Sequence, residues 1–151
     1  MILASAYLFR DLSQRALEAI SQIAVEESHL QEAFLFQSGD SAQYLYILQE
    51  GRVRLSVVRT GHLAHIISEP GEAIGWSSMA GNGQYTASAQ CLVPVRVLRI
   101  EHGQLNAILE NDPTSGLTFF RQLAILIGKR LAESYSATLS VQAAQDPRSY
   151  G

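Results

Sequence analysis

The apolar residues change period twice along this chain, and that change limits the folds open to it. Leu17, Ile20, Ile23 and Ala24 recur at helical spacing behind a capping Ser13, which predicts a helix over residues 12–29. From Glu32 to Leu98 the helical period is lost. Short apolar or alternating runs ("AFLF", "YLYIL", "VRLSVV", "AHII", "VRVLRI") are broken by turn segments ("SGDS", "EGR", "TGH", "EPGE", "GNG"). About eight short strands with glycine-bearing turns predict an antiparallel sandwich or barrel. In "VRLSVV", Val53, Leu55 and Val57 fall on one face and Arg52, Arg54 and Ser56 on the other.

After Ile100 the helical period returns. A short helix is expected over residues 101–110, then a reset at "NDPTSG" with Asp112 as cap and Pro113 at the first helical position. A long helix to about Val141 follows. Leu117, Phe120, Ala124, Ile127, Leu131, Ser134, Thr138 and Val141 are spaced as a heptad seam, with Leu123, Leu126 and Leu139 beside it. One stripe would suffice to dock such a helix on its own domain. The surplus predicts pairing with a second copy, and the alternative is a helix wholly buried on its own domain. Residues 1–142 therefore read as one domain, mostly β with flanking helices, and 143–151 as a frayed tail.

Composition narrows the function. The 151 residues carry a net charge of −3, with one lysine and ten scattered arginines, which is a poor surface for nucleic acid. A single cysteine, Cys91, excludes an internal disulfide and reads as a buried thiol. The first apolar run is short and has no positive charge before it, so neither a signal peptide nor a membrane span is expected, and a cytoplasmic protein is. His29, His62, His65 and His102 lack a convincing ligand spacing and read as surface residues, with a metal or haem sensor as a remote alternative. No nucleophile elbow, His-Glu-x-x-His or Walker loop occurs, so no enzyme is expected. Glu69 and Glu72 flank a turn, and turn capping is expected of them rather than acid–base work.

Three segments together resemble the cyclic nucleotide-binding domain of catabolite-activator (Crp-Fnr) regulators over residues 8–140. "FLFQSGDSAQYLYILQEGRVRLSV" is similar to the first β segment, "PGEAIGWSSM" to the phosphate-binding cassette, and "TFFRQLAILIGKRLAES" to the long C-terminal helix. The resemblance implies a jelly-roll-like β-roll. It also implies a cassette in which Gly75 lets the backbone approach a phosphate, with a helical turn over 76–80 and hydroxyls on Ser77 and Ser78.

Two charged members of the family pattern are missing. Trp76 stands where the family has the ribose-binding acid. Tyr85, or Gln84 if the register slips by one, stands where it has the phosphate-binding arginine, while Thr86 and Ala87 match. Losing two charge-assisted contacts costs about 3–6 kcal/mol, or roughly two to four orders of magnitude in affinity. The resemblance also makes Ser134, beside Tyr135, the candidate contact to a base.

The expectation is a ligand-sensing, homodimeric regulatory domain, binding cAMP or cGMP weakly or another small ligand and passing the signal to a partner protein. The alternative is an interaction module whose pocket is filled by Trp76 and Tyr85. Such regulators carry a helix-turn-helix after the long helix, and no such pattern fits "VQAAQDPRSYG". Direct DNA binding by this chain is not expected. It is either a stand-alone sensor or a piece of a longer regulator.

Overall fold

The computed structural model describes residues 2–57 and 62–145, and within them the side chains of all but residues 2, 62–64, 134 and 137–145. The chain opens with α1 (Ile2–Ser5), a 3-10 turn (Tyr7–Phe9) and α2 (Gln14–Ile23). Eight strands follow: β1 (Val25–His29), β2 (Phe34–Phe36), β3 (Tyr44–Glu50), β4 (Val53–Val57), β5 (His62–Ile67), β6 (Ala73–Ile74), β7 (Ser88–Cys91) and β8 (Val95–Glu101). α3 (His102–Asn111) and α4 (Pro113–Gln145) complete the fold. The strands form two antiparallel four-stranded sheets, β1-β8-β3-β6 and β2-β7-β4-β5.

Between the sheets lies one apolar core, with Phe36, Tyr46, Leu48, Val53, Ile74, Tyr85 and Val97. A second core lies between the first sheet and the helices, with Phe9, Ile20, Leu45, Ile47, Ile100, Leu105 and Phe119. β3 serves both, because successive side chains point to opposite faces: Leu45 and Ile47 to the helices, Tyr46 and Leu48 into the roll. That is why "YLYIL" is continuously apolar.

Two boundaries differ from the sequence expectation. α2 starts as expected, with the Ser13 hydroxyl accepting from the Ala16 amide at 3.0 Å, but ends six residues early. Val25–His29 is a strand on β8, held partly by charge: Glu26 meets Arg96 at 3.1 Å and Glu27 meets Arg99 at 3.0 Å. The apolar stripe stops at Ala24, and Glu27 and Ser28 offer nothing to extend it. Residues 70–89, where no apolar run signals a strand, contribute β6 and the start of β7. Their residues are short and small, but Ala73, Ile74, Ala89 and Cys91 are buried. Burial also raises the Cys91 thiol above its usual range.

The two helix starts share one node. The Ser13 hydroxyl donates to Asp112 at 2.5 Å, the Ser13 amide donates to the Ser115 hydroxyl at 2.9 Å, and Asp112 accepts from the Ser115 amide at 3.3 Å. The Ser13 hydroxyl, followed by Ser115, holds the Asp112 carboxyl below its ordinary value. Asp112 thus caps α4 as the sequence predicts.

α4 continues past Val141 to Gln145, three residues into the expected tail, and 146–151 lie outside the described residues. It docks through Phe119 and Leu123, with Phe119 stacked on Phe9 at 5.8 Å. The stripe beside this one stays open: Leu117 is 55% exposed, Phe120 40% and Leu131 50%. A helix wholly buried on its own domain is therefore excluded. Ile127 is half-buried against the helix-side core. The side chains of Ser134, Thr138, Leu139 and Val141 lie outside the described residues.

Gly116 lets α4 cross α3 closely, since a Cβ there would lie 2.8 Å from the Leu109 carbonyl oxygen. Gly116→Val is expected to cost about 1–3 kcal/mol, lowering Tm by about 2–4 °C per kcal/mol. Gly128→Ala, whose Cβ meets nothing within 4 Å, is expected to raise stability by up to about 1 kcal/mol. Thermal unfolding of both variants checks the pair.

Candidate functional site

The cassette begins where β6 ends. Gly75 turns the chain with φ +84°, a left-handed conformation that L side chains rarely adopt. A Cβ at 75 would also lie 3.1 Å from the Tyr44 carbonyl oxygen and 3.1 Å from Cε1 of Tyr85. Glycine is thus required twice, for conformation and for space. A single 3-10 turn, Trp76–Ser78, follows. The amides of Ser78, Met79 and Ala80 donate to the turn's own carbonyls at Gly75 and Trp76. Among the described hydrogen bonds, the amides of Trp76 and Ser77 have no acceptor. Ser77 and Ser78 are buried, and the Ser78 hydroxyl donates to the Gly75 carbonyl at 2.8 Å, closing the turn on itself.

The return segment is tied to the acidic turn after β2. The Ala42 amide donates to the Gly83 carbonyl at 2.8 Å, the Gly39 amide to Tyr85 at 2.9 Å, and the Tyr85 amide to Asp40 at 3.0 Å. Ser41 and Gln84 form an isolated bridge. With its backbone fixed on both sides, Tyr85 points into the roll and is only 4% exposed.

Its ring stacks on Phe36 at a centroid distance of 3.7 Å and 9° between planes. Its hydroxyl donates to the Tyr44 carbonyl at 2.6 Å and accepts from the Tyr44 amide at 3.1 Å. Both polar functions of the phenol are therefore met by one backbone residue. Phe36 in turn lies 6.1 Å from Tyr46, Tyr46 lies 6.3 Å from Tyr44, and the Arg99 guanidinium sits 4.6 Å over the Tyr44 ring. Burial raises the hydroxyls of Tyr85 and Tyr46 above the ordinary tyrosine value, so both stay neutral at physiological pH.

The residues singled out from the sequence do not share one pocket. Tyr85 enters the roll, whereas Trp76 packs against the helix-side core. The expected pairing of the two aromatics is corrected accordingly: they lie on opposite sides of the first sheet. Gly75 and Tyr85 meet. Gln84 and Thr86 are exposed and Ala87 is half-buried. The side chain of Ser134 lies outside the described residues. Sequence reasoning missed Phe36, Tyr44 and Tyr46 as members of the site. Their signal was present, since Tyr44 and Tyr46 are two apart on a strand and must share a face.

Glu72 does what the turn reading expects, accepting from the amides of Ser68 at 3.1 Å and Glu69 at 2.9 Å. His29 meets Glu27 at 3.2 Å and His102 lies 3.8 Å from Glu101. Among the described residues no group of three or more His, Cys, Asp or Glu could hold a metal ion. No described helix is long and apolar enough to cross a membrane.

Tyr85→Phe leaves the stack in place and strips two backbone groups of their partner. It is expected to cost about 1–3 kcal/mol, and Tyr85→Ala about 3–5 kcal/mol. Denaturant unfolding checks both values.

The family model described as "Cyclic nucleotide-binding domain" matches residues 26–112, which run from β1 through α3. A search of curated protein sequences gave no match. Among solved structures, a candidate cyclic nucleotide-binding protein of Geobacter metallireducens is 29% identical, with TM-score 0.76, over 85% of this chain and 95% of the other. The N-terminal domain of a transcriptional regulator of Streptomyces coelicolor is 26% identical, with TM-score 0.70, over 85% and 94%. The Thermus thermophilus catabolite activator protein, 23% identical with TM-score 0.72 over 91% and 63%, shares the fold. The β-roll, the cassette turn at Gly75 and the match across more than half of the residues place this chain in the cyclic nucleotide-binding domain family.

Proposed function

We propose that this chain is a non-enzymatic regulatory module of the cyclic nucleotide-binding fold that works without a cyclic nucleotide, its cassette closed by its own Tyr85. One observation carries the reading: Tyr85 is 4% exposed and stacks on Phe36 at 3.7 Å, with its hydroxyl committed to Tyr44. In the family an arginine at this place waits for a phosphate. A buried arginine without an anion is costly, whereas a tyrosine satisfies itself. The closed roll needs no ligand to complete it.

The output surface in this reading is the open stripe of α4. Leu117, Phe120, Ala124 and Leu131 follow steps of three, four and seven residues, as a paired helix requires. Two copies pairing there would form a homodimer, and a partner protein would read the way α4 lies on the roll.

A second reading keeps a ligand. Gly75 retains its left-handed turn, and the amides of Trp76 and Ser77 remain uncommitted donors among the described hydrogen bonds. A small molecule could use them only if Tyr85 swung out, and its affinity would be reduced by the rarity of that state. Calorimetric titration separates the two. The closed-cassette reading expects no heat with cAMP or cGMP at millimolar ligand, and measurable binding after Tyr85→Arg, which removes the plug and restores the charge. Micromolar binding by the unaltered chain overturns it. Leu131→Asp, on the open stripe, is expected to give monomers by light scattering with an unchanged fold, and a persistent dimer places the interface elsewhere.

A further inference from the structure

Asn82 stands between two glycines in the segment that carries the chain from the cassette turn back into the roll. Residues 81–84 are all exposed, and 81–83 form a bend outside any helix or strand. Gly81 and Gly83 take φ of +126° and +85°. A Cβ at Gly83 would meet nothing within 4 Å, so the space around that residue is open. Among the described hydrogen bonds, neither the Asn82 side chain nor the Gly83 amide has a partner.

We propose that Asn82–Gly83 is a site of spontaneous covalent modification, where the Asn82 side chain closes on the Gly83 nitrogen, and that the isoaspartate this yields loosens the anchor of Tyr85. The Gly83 nitrogen gives its proton to hydroxide and attacks Cγ of Asn82. The new N–Cγ bond closes a five-membered succinimide, and the side-chain nitrogen takes up a proton and leaves as ammonia. Water then opens the ring. Breaking the new N–Cγ bond gives aspartate. Breaking the bond from the Gly83 nitrogen to the Asn82 backbone carbonyl carbon gives isoaspartate. Water and hydroxide are the only reagents.

Three local features favour the closure. The attacking nitrogen is not held by an acceptor, the exposed Asn82 side chain is free to rotate onto it, and glycine at 83 puts no side chain in the way. The chain's other two asparagines differ. Asn106 lies inside α3, where the amide that follows it is committed to the helix, and Asn111 ends that helix before the bulkier Asp112.

The position gives the two products different consequences. The Gly83 carbonyl accepts from the Ala42 amide at 2.8 Å, and two residues on, the Tyr85 amide donates to Asp40 at 3.0 Å. Aspartate keeps the main chain as it was and adds one charge on an exposed side chain. Isoaspartate routes the main chain through the side-chain carbon and lengthens it by one carbon–carbon bond, about 1.5 Å. A shift of that size at the Gly83 carbonyl breaks the bond to Ala42 and slackens the segment that holds Tyr85 inward. This consequence follows from where Tyr85 lies, whatever the cassette binds.

The test incubates the full chain at pH 8 and follows it by peptide mapping. Asn82 is expected to convert within days to a mixture of aspartate and isoaspartate, at a rate rising in proportion to hydroxide, while Asn106 and Asn111 remain amides. Asn82→Ser should stay unmodified. In the isoaspartate fraction, separated by chromatography, hydrogen-exchange protection of the Ala42 and Tyr85 amides should fall severalfold, and Asn82→Asp should retain it. Conversion at 82 no faster than at 106 and 111, or aspartate without isoaspartate, overturns the site. Full protection in the isoaspartate fraction overturns the loosening of Tyr85, and so does an equal loss in Asn82→Asp, which would assign the loss to charge alone.

Discussion

The hydroxyl of Tyr85, clamped on the amide and carbonyl of Tyr44, is the contact on which the site depends. It joins the cassette's return segment to the first residue of β3, and β3 is the strand that both cores share. A tyrosine ring buried without partners for its oxygen would pay a desolvation cost of about 1–3 kcal/mol. Here the oxygen meets a donor and an acceptor on one residue, so the ring can fill the roll at no polar penalty. Phe36 then needs only to lie parallel to it. Gly75 has to remain without a side chain, because the same ring and the same Tyr44 carbonyl occupy the space a Cβ would take. Three sequence choices that look independent are thus one arrangement.

The architecture was legible where period and chemistry agreed. Ser13 and Asp112 cap helices as their positions predict, and each run from "AFLF" to "VRVLRI" contributes a strand among the described residues. The failures share a cause. Val25–His29 has no apolar pattern of its own, and it is a strand because it pairs with β8 along five residues, with Arg96 and Arg99 beside its glutamates. Ala73–Ile74 and Ser88–Cys91 are too short and small for a periodic signal, and their pairing partners define them. Tertiary contacts decided these segments, and a local reading does not contain them.

The site was half legible. The resemblance to the family pattern assigns the cassette and its missing charges to Trp76 and Tyr85. It did not show that the two rings part, Trp76 to the helices and Tyr85 into the roll. Side chains at residues nine apart on an irregular loop carry no periodic rule for direction. What fixes Tyr85 inward is the set of backbone bonds to the turn at residues 39–42, and these arise from chain segments more than forty residues away.

α4 carries two obligations that its sequence keeps apart. Phe119 and Leu123 face the domain, and Leu117, Phe120 and Leu131 face away. About three turns past Leu123, Glu133 brings its carboxylate to 3.5 Å from His65 on β5. Packing at the start of the helix is insensitive to pH, whereas the contact with His65 is an ion pair only when the imidazole is protonated. If the proposed closed cassette holds, an input that favours one placement of α4 on the roll would shift the balance only by its differential interaction with the two placements.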